Sequence, residues 1–297
     1  MSATKIKEVE QQIQEFWSPL FVPELKENAI LPNLINTTYD SDLQNHGDTV
    51  YVSMVENAKG SRKQIDASGN HTTIDSEKLK TKRVGIKADQ IFSASFELDN
   101  LIDIQSQLGN ASGQSAIRAA LLKGVELQIN EYIYGLVAPS SSDPEHVRSG
   151  ITAYNFAELM KDRALASKSK WPTGDRYVLL DPEYYNDFLG DTKNSSSDFV
   201  GQDLPLIGGQ RPFVRSDFQI LEDNSDAMRQ LSPTEAFKNG LVFHRDWCYM
   251  VAQMMPTFKL SDLHANKQRG YLLTVDMVGG AKLGIQGDLK HIRVYND

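Results

Sequence analysis

The chain has one cysteine, Cys248, among 297 residues. A single thiol excludes an intramolecular disulfide framework and any Cys-rich zinc site. A basic surplus is missing as well. Lys and Arg number 31 against 39 Asp and Glu, giving a net charge of -8, the reverse of what a free nucleic-acid binder carries. No run approaches the about 18 consecutive apolar residues of a membrane-spanning helix. The first residues, MSATKIKEVEQQIQEFW, are amphipathic and acidic, unlike a secretory signal. What is present, 40% hydrophobic and 24% charged residues, is enough for a core and too apolar for a disordered chain. The sequence therefore predicts a soluble globular chain made in the cytosol, with one large domain or two.

Large apolar residues are also scarce between Glu56 and Thr81, a stretch that cannot build a core of its own. It lies between two strand-like runs. Thr49–Val55 (TVYVSMV) is β-branched and aromatic, and Lys82–Phe92 alternates Val84, Ile86 and Ala88 against Arg83, Gly85 and Lys87. The simplest geometry is a long two-stranded arm, and a solvated loop is the alternative. From Lys59 to Lys87 there are eight basic and three acidic residues, so the segment is net +5 and the remainder of the chain -13. A basic arm on an acidic body suits association between copies.

Before the arm, Ile6, Val9, Ile13, Phe16 and Trp17 draw one apolar stripe on a short helix that Pro19 and Pro23 end. It packs either on its own domain or on another subunit. After the arm, Phe96–Leu108 reads as a short amphipathic helix and Ser112–Val137 as a long one, about 39 Å at 1.5 Å per residue. Asn155 is placed to cap a helix running to Ser169. Asp175–Leu180 reads as a buried strand, and Asp181-Pro182-Glu183 as a helix start with its capping acid. Asp191–Asp203 and Leu221–Phe237 read as polar excursions, and Gly208-Gly209 as a turn into the strand Phe213–Ser216. Strands return at Gly240–His244, Cys248–Gln253, Tyr271–Val275 and His291–Tyr295. The sum is an α+β architecture without internal repeats.

Several fragments imitate catalytic motifs. His244-Arg245-Asp246 spells the kinase catalytic-loop tripeptide, but the position for its asparagine is Val251, and no phosphate loop with a strand lysine accompanies it. Gly279–Gly284 imitates a nucleotide turn with no room for a βαβ unit behind it. Cys248, four residues from His244, sits in an apolar run and reads as a small buried hydrophobe. The six histidines show no metal spacing, and the helix-cap reading accounts for both Asp181 and Glu183. These residues converge into no catalytic, cofactor or metal site, and none is expected.

The order of these elements resembles the major capsid (coat) proteins of tailed double-stranded DNA bacteriophages, with their Hong Kong 97-type fold. Residues 1–46 match the N-terminal arm and 47–96 the extended hairpin loop. Residues 97–151 match the peripheral domain with its spine helix, 152–239 the axial domain, and 240–297 the closing peripheral strands. The stretches Trp171–Pro182 and Gly240–Asp246 are similar to the family's strand-into-helix segment and to its strand after the axial domain. The resemblance implies a self-assembling icosahedral shell of pentamers and hexamers, located in the virion and made in the host bacterial cytoplasm. It implies enclosed double-stranded DNA held without sequence-specific binding, a portal, and no membrane. Because the sequence starts almost directly with the arm, a separate scaffolding protein is expected. An encapsulin-like nanocompartment shell has the same fold, and a soluble α+β enzyme without a recognisable site is the reading from another class. The residues expected at subunit contacts are Lys59, Arg62 and Lys63 in the loop and Phe16 and Trp17 in the arm.

Overall fold

In a computed structural model of the chain, residues 29–39, 49–55, 60, 68, 78–98, 111–195, 213–235, 237–262, 270–284 and 289–296 are described. The described helices are α1 (Leu31–Leu34), α2 (Ala111–Val137), α3 (Phe156–Lys168), α4 (Pro182–Gly190) and α5 (Thr192–Ser195). The strands are β1 (Thr49–Val55), β2 (Thr81–Lys87), β3 (Gln90–Leu98), β4 (His146–Arg148), β5 (Arg176–Leu180), β6 (Phe213–Arg215), β7 (Phe218–Glu222), β8 (Asn239–His244), β9 (Cys248–Asp262), β10 (Tyr271–Leu283) and β11 (Ile292–Tyr295). The class is α+β, as expected. Two compact units divide these residues: 93–98, 111–125, 258–262 and 270–275 form the smaller, and the rest form the larger.

The larger unit is organised by a six-stranded sheet in the order β4-β11-β8-β5-β7-β6. Its centre, β5, is buried along its whole length, because strands flank it on both sides and both faces are covered. Period-two alternation sends Val178 and Leu180 to one face, where they meet Ile220 of β7, Val242 of β8 and Ile292 of β11. Helices α3 and α4 cover that face with Leu159, Tyr184, Tyr185 and Phe188. Both helices start as the sequence indicates. The Asn155 side chain accepts from the Glu158 amide at 3.0 Å, and the Asp181 side chain accepts from the Tyr184 amide at 2.8 Å, each satisfying a donor the first turn would otherwise leave unpaired. Strands β8 and β11 are hydrogen-bonded into this sheet, so a cut at residue 240 runs through its hydrogen-bond ladder.

The β1–β2 pair is an antiparallel ladder from Thr49 opposite Lys87 to Val55 opposite Thr81. Its inward side chains, Val52 and Ile86, pack with Tyr249 and Val251 of β9 in a small second core. The segment before the hairpin is stitched to the same strand: Asn36 donates to the Cys248 carbonyl at 3.1 Å and accepts from the Met250 amide at 3.0 Å, with Leu31 and Ile35 buried. In the smaller unit, Leu121 and Val125 of α2 are buried. Gly124 admits β3 closely there, since a Cβ at this position would stand 3.4 Å from the Ala94 methyl.

Four expectations need correction. The run Lys82–Phe92 is not one strand: β2 ends at Lys87 and β3 begins at Gln90 in a different sheet, because the chain changes pairing partner there. Phe96–Leu98 belong to β3 and do not start a helix; alternation of buried Phe92 with exposed Ile91 and Ser93 is the pattern that prevails, and short apolar runs fit either period. The remainder of that expected helix lies outside the described residues. Residues Leu221–Phe237 are no simple polar excursion. They hold the end of β7 and a 3-10 segment, Asp226–Leu231, with Met228 and Leu231 buried. The polar side chain of Asp223 is buried beside them, accepting from the Tyr134 hydroxyl at 2.6 Å and the Ser225 amide at 2.9 Å. Finally, Asp191–Asp203 begins with α5, whose Asn194 is buried and donates to the Phe188 carbonyl at 2.9 Å. Gly208-Gly209 lies outside the described residues.

Candidate assembly surface

The fragments that imitate catalytic motifs are structural. Cys248 is fully buried, and burial pushes its thiol well above the ordinary range, so it is an inert hydrophobe and not a nucleophile. His244 caps the 3-10 turn Arg245–Trp247, its Nδ1 accepting from the Asp246 amide at 3.1 Å. The Asp246 carboxylate accepts from the Asn36 side chain at 2.7 Å. The kinase-like tripeptide is therefore a turn that fastens residue 36 to the head of β9. No group of three metal-ligating side chains occurs among the described residues, and no described helix is long and apolar enough to cross a membrane.

Two buried titratable groups hold the six-stranded sheet together. Asp181 accepts from Tyr184 through one oxygen and from the Asn239 amide through the other. Burial raises its carboxyl to about 6 despite those hydrogen bonds. Asp181→Ala removes a cap and orphans a buried amide, each worth about 1 kcal/mol or more. We expect a loss of about 2–3 kcal/mol in denaturant unfolding, and a loss below about 0.5 kcal/mol would contradict the structure.

His291 is the second. Its Nδ1 accepts from the Trp247 indole at 3.3 Å, and its Nε2 lies 3.4 Å from the Ser142 hydroxyl. The neutral ring therefore carries its proton on Nε2. Burial, then Arg293 and Lys290, lower its pKa to about 3. The folded state keeps the ring neutral while the unfolded state takes up a proton near 6.5. The stabilisation is complete above about 6.5 and is lost as pH falls from there toward 3. Unfolding free energy should fall by up to about 1.4 kcal/mol per pH unit more steeply in the wild type than in His291→Gln across that window. Parallel pH profiles would refute the assignment.

On the outer face of the β1–β2 hairpin Tyr51 is 57% exposed and Val55 63%, with the Arg83 guanidinium stacked 3.8 Å over the Tyr51 ring. Lys78, Leu79 and Lys80 form an exposed basic and apolar strip ahead of β2; Lys82, opposite Met54, belongs to the other face of the ladder. The sheet also ends in two short edge strands, β4 and β6, with Val147 and Val214 exposed; unpaired edges of this kind invite pairing unless covered. In the smaller unit Phe96, Phe258, Leu260 and Tyr271 are exposed. Isolated exposed apolar residues are ordinary, but grouped ones mark contacts. Sequence reasoning counted Lys78, Lys80, Lys82 and Arg83 among the basic residues of the arm but named none of the exposed apolar residues as contacts, although the alternation in TVYVSMV already turned Tyr51 and Val55 away from Val52. The contact residues it did name, Phe16, Trp17, Lys59, Arg62 and Lys63, lie outside the described residues.

No protein-family model matches the chain, and no curated protein matches its sequence. Solved structures do. A chain from Mycobacterium phage Che8 superposes with a TM-score of 0.69 at 18% identity, over 95% of this chain and 96% of that one. The capsid structure of cyanophage P-SCSP1u gives a TM-score of 0.67 at 14% identity, over 97% and 94%. The capsid asymmetric unit of cyanophage Pam1 gives 0.69 at 13%, over 96% of each chain. The fold is therefore the phage capsid fold of Hong Kong 97 type, along nearly the whole chain.

Proposed function

We propose that this chain is a major capsid protein, the repeating subunit of an icosahedral shell around a phage double-stranded DNA genome. The observation that carries the reading is the fold match to capsid chains over nearly the full length of both partners. The surfaces agree with it. The β1–β2 hairpin packs its Val52 and Ile86 side on β9 and presents Tyr51 and Val55 outward. Two short strands, β4 and β6, stand at the ends of the six-stranded sheet. In a shell each of these features meets a neighbouring copy, and many weak contacts add through multivalency. The net charge of -8 suits a container that does not grip phosphate tightly. The reading includes pentamers and hexamers, assembly guided by a separate scaffolding protein, and a portal at one vertex.

Expression of the chain alone and with a candidate scaffolding protein tests the reading by sedimentation and negative-stain microscopy. Closed particles of uniform size are expected. A compact monomer at high concentration in both cases would overturn the proposal, and particles that enclose an enzyme and no DNA would favour a nanocompartment.

A further inference from the structure

We propose that the apolar stripe of the N-terminal segment, Ile6, Val9, Ile13, Phe16 and Trp17, docks on its own chain and covers the exposed apolar end of the three-stranded sheet. The inference concerns a single chain and holds whether or not copies form a shell.

The docking face belongs to the smaller unit, where the strands run in the order β3-β10-β9. At the end of β3, Phe96 stands between Ser95 and Glu97, and at the end of β9, Phe258 and Leu260 alternate with Lys259 and Ser261. Such alternation builds a strand with one solvated face and one covered face. The apolar side is the one that faces α2. A Cβ on Gly124 of α2 would stand 3.4 Å from the Ala94 methyl, and the Arg118 guanidinium of α2 lies 5.6 Å over the Phe258 ring. Period two carries Phe96 to the side of Ala94 and Leu260 to the side of Phe258. Yet Phe96 is 45% exposed and Leu260 67%, and Phe258 and Tyr271 are exposed as well. Four large apolar groups at one end of a sheet about 10 Å across make a patch that calls for cover.

Chain length and charge select the occupant. The stripe lies outside the described residues, ahead of Ala29. As a helix, Ile6 to Trp17 spans about 18 Å, enough to cross three strands. From Glu8 to Trp17 the segment has three acidic residues and no basic one, whereas α2 from Ala111 to Val125 has Arg118 and Lys123 and no acid. Lys259 adds a third positive charge on β9. Opposite signs favour and orient the contact. Eleven residues, 18–28, join the stripe to the described chain. Extended, they reach at most about 40 Å, and so short a tether holds the stripe at an effective concentration in the millimolar range. A stripe from a second copy lacks that advantage.

Trp17 is the probe, because Trp171 and Trp247 are buried in the larger unit. The difference in fluorescence between the full chain and its Trp17→Phe variant isolates the Trp17 signal. Short-wavelength emission shielded from iodide is expected, unchanged by dilution wherever sedimentation shows a monomer. Phe258→Asp combined with Leu260→Asp should move that emission to longer wavelength and raise iodide quenching about threefold, as release of a packed segment does. Ile13→Asp, on the other side of the contact, should do the same with an unchanged far-ultraviolet circular dichroism spectrum of the body. If the double variant fails to fold, Ile13→Asp decides alone. A solvated Trp17 in the wild type overturns the proposal. So does shielding that Ile13→Asp leaves intact, shielding that the folded double variant leaves intact, which assigns the cover of the patch to another segment, or shielding lost on dilution, which makes the occupant a second copy.

Discussion

Alanine at Gly280 will destabilise the fold by about 3 kcal/mol and disable assembly. A Cβ built at Gly280 would stand 2.0 Å from the Lys87 carbonyl oxygen and 3.2 Å from the Ala88 Cα. The obstacle is backbone, so no rotamer change relieves it. At the neighbouring Gly279 a Cβ would lie 2.8 Å from the Val251 carbonyl oxygen. These two glycines let β10 pass directly against the end of β2 and against β9. Overpacking a well-filled site costs roughly 1–3 kcal/mol, and a clash with main chain belongs at the upper end. The functional consequence follows from position. Lys87 is the root of the hairpin, so moving it re-aims Tyr51, Val55 and the basic strip together. Denaturant unfolding reads the first effect and particle yield the second. Wild-type stability and yield in Gly280→Ala would show that the close approach is not real.

Reversal of Lys59, Arg62 and Lys63 to Glu together should leave thermal melting nearly unchanged and slow or block shell formation. The segment from Lys59 to Lys87 is net +5 and the rest of the chain -13, so in the proposed shell the arm of one copy is attracted to the acidic body of the next. One exposed ion pair contributes about 0.2–1 kcal/mol, which hardly matters to one chain but recurs at every subunit. Wild-type assembly should also weaken as salt rises, since exposed charges are screened over about 8 Å at physiological ionic strength. Light scattering of assembly against salt, for both proteins, is the measurement. Shells formed by the triple variant at the wild-type rate and salt response would make the cluster an ordinary solvated face.

What was legible in the sequence was local. Asp181-Pro182-Glu183 encodes a helix start in adjacent residues, and the structure places the Asp181 side chain on the Tyr184 amide. Asn155 is the same case. Thr49–Val55 carries both β-propensity and alternation, and its boundaries hold to the residue. What was not legible depends on distant chain. Gly279-Gly280 looked like a phosphate turn because local sequence cannot show that β9 and the end of β2 approach those atoms. The break at Ala88-Asp89 is a change of partner, invisible until β10 is known to pair with β3. The 3-10 segment Asp226–Leu231 looked solvated because its polar neighbour Asp223 finds its partner, Tyr134, on α2, 89 residues earlier. For the proposed contact surface, charge asymmetry pointed to the basic segment, while Tyr51 and Val55 emerged only with the ladder.

A cryo-electron microscopy reconstruction of the particles formed by the wild-type chain tests the central claim most directly. The account predicts a closed icosahedral shell of pentamers and hexamers, with the β1–β2 hairpin of each subunit lying across a neighbour and its Tyr51 face covered. Open filaments, isolated small oligomers, or a shell in which that hairpin touches only its own subunit would contradict it.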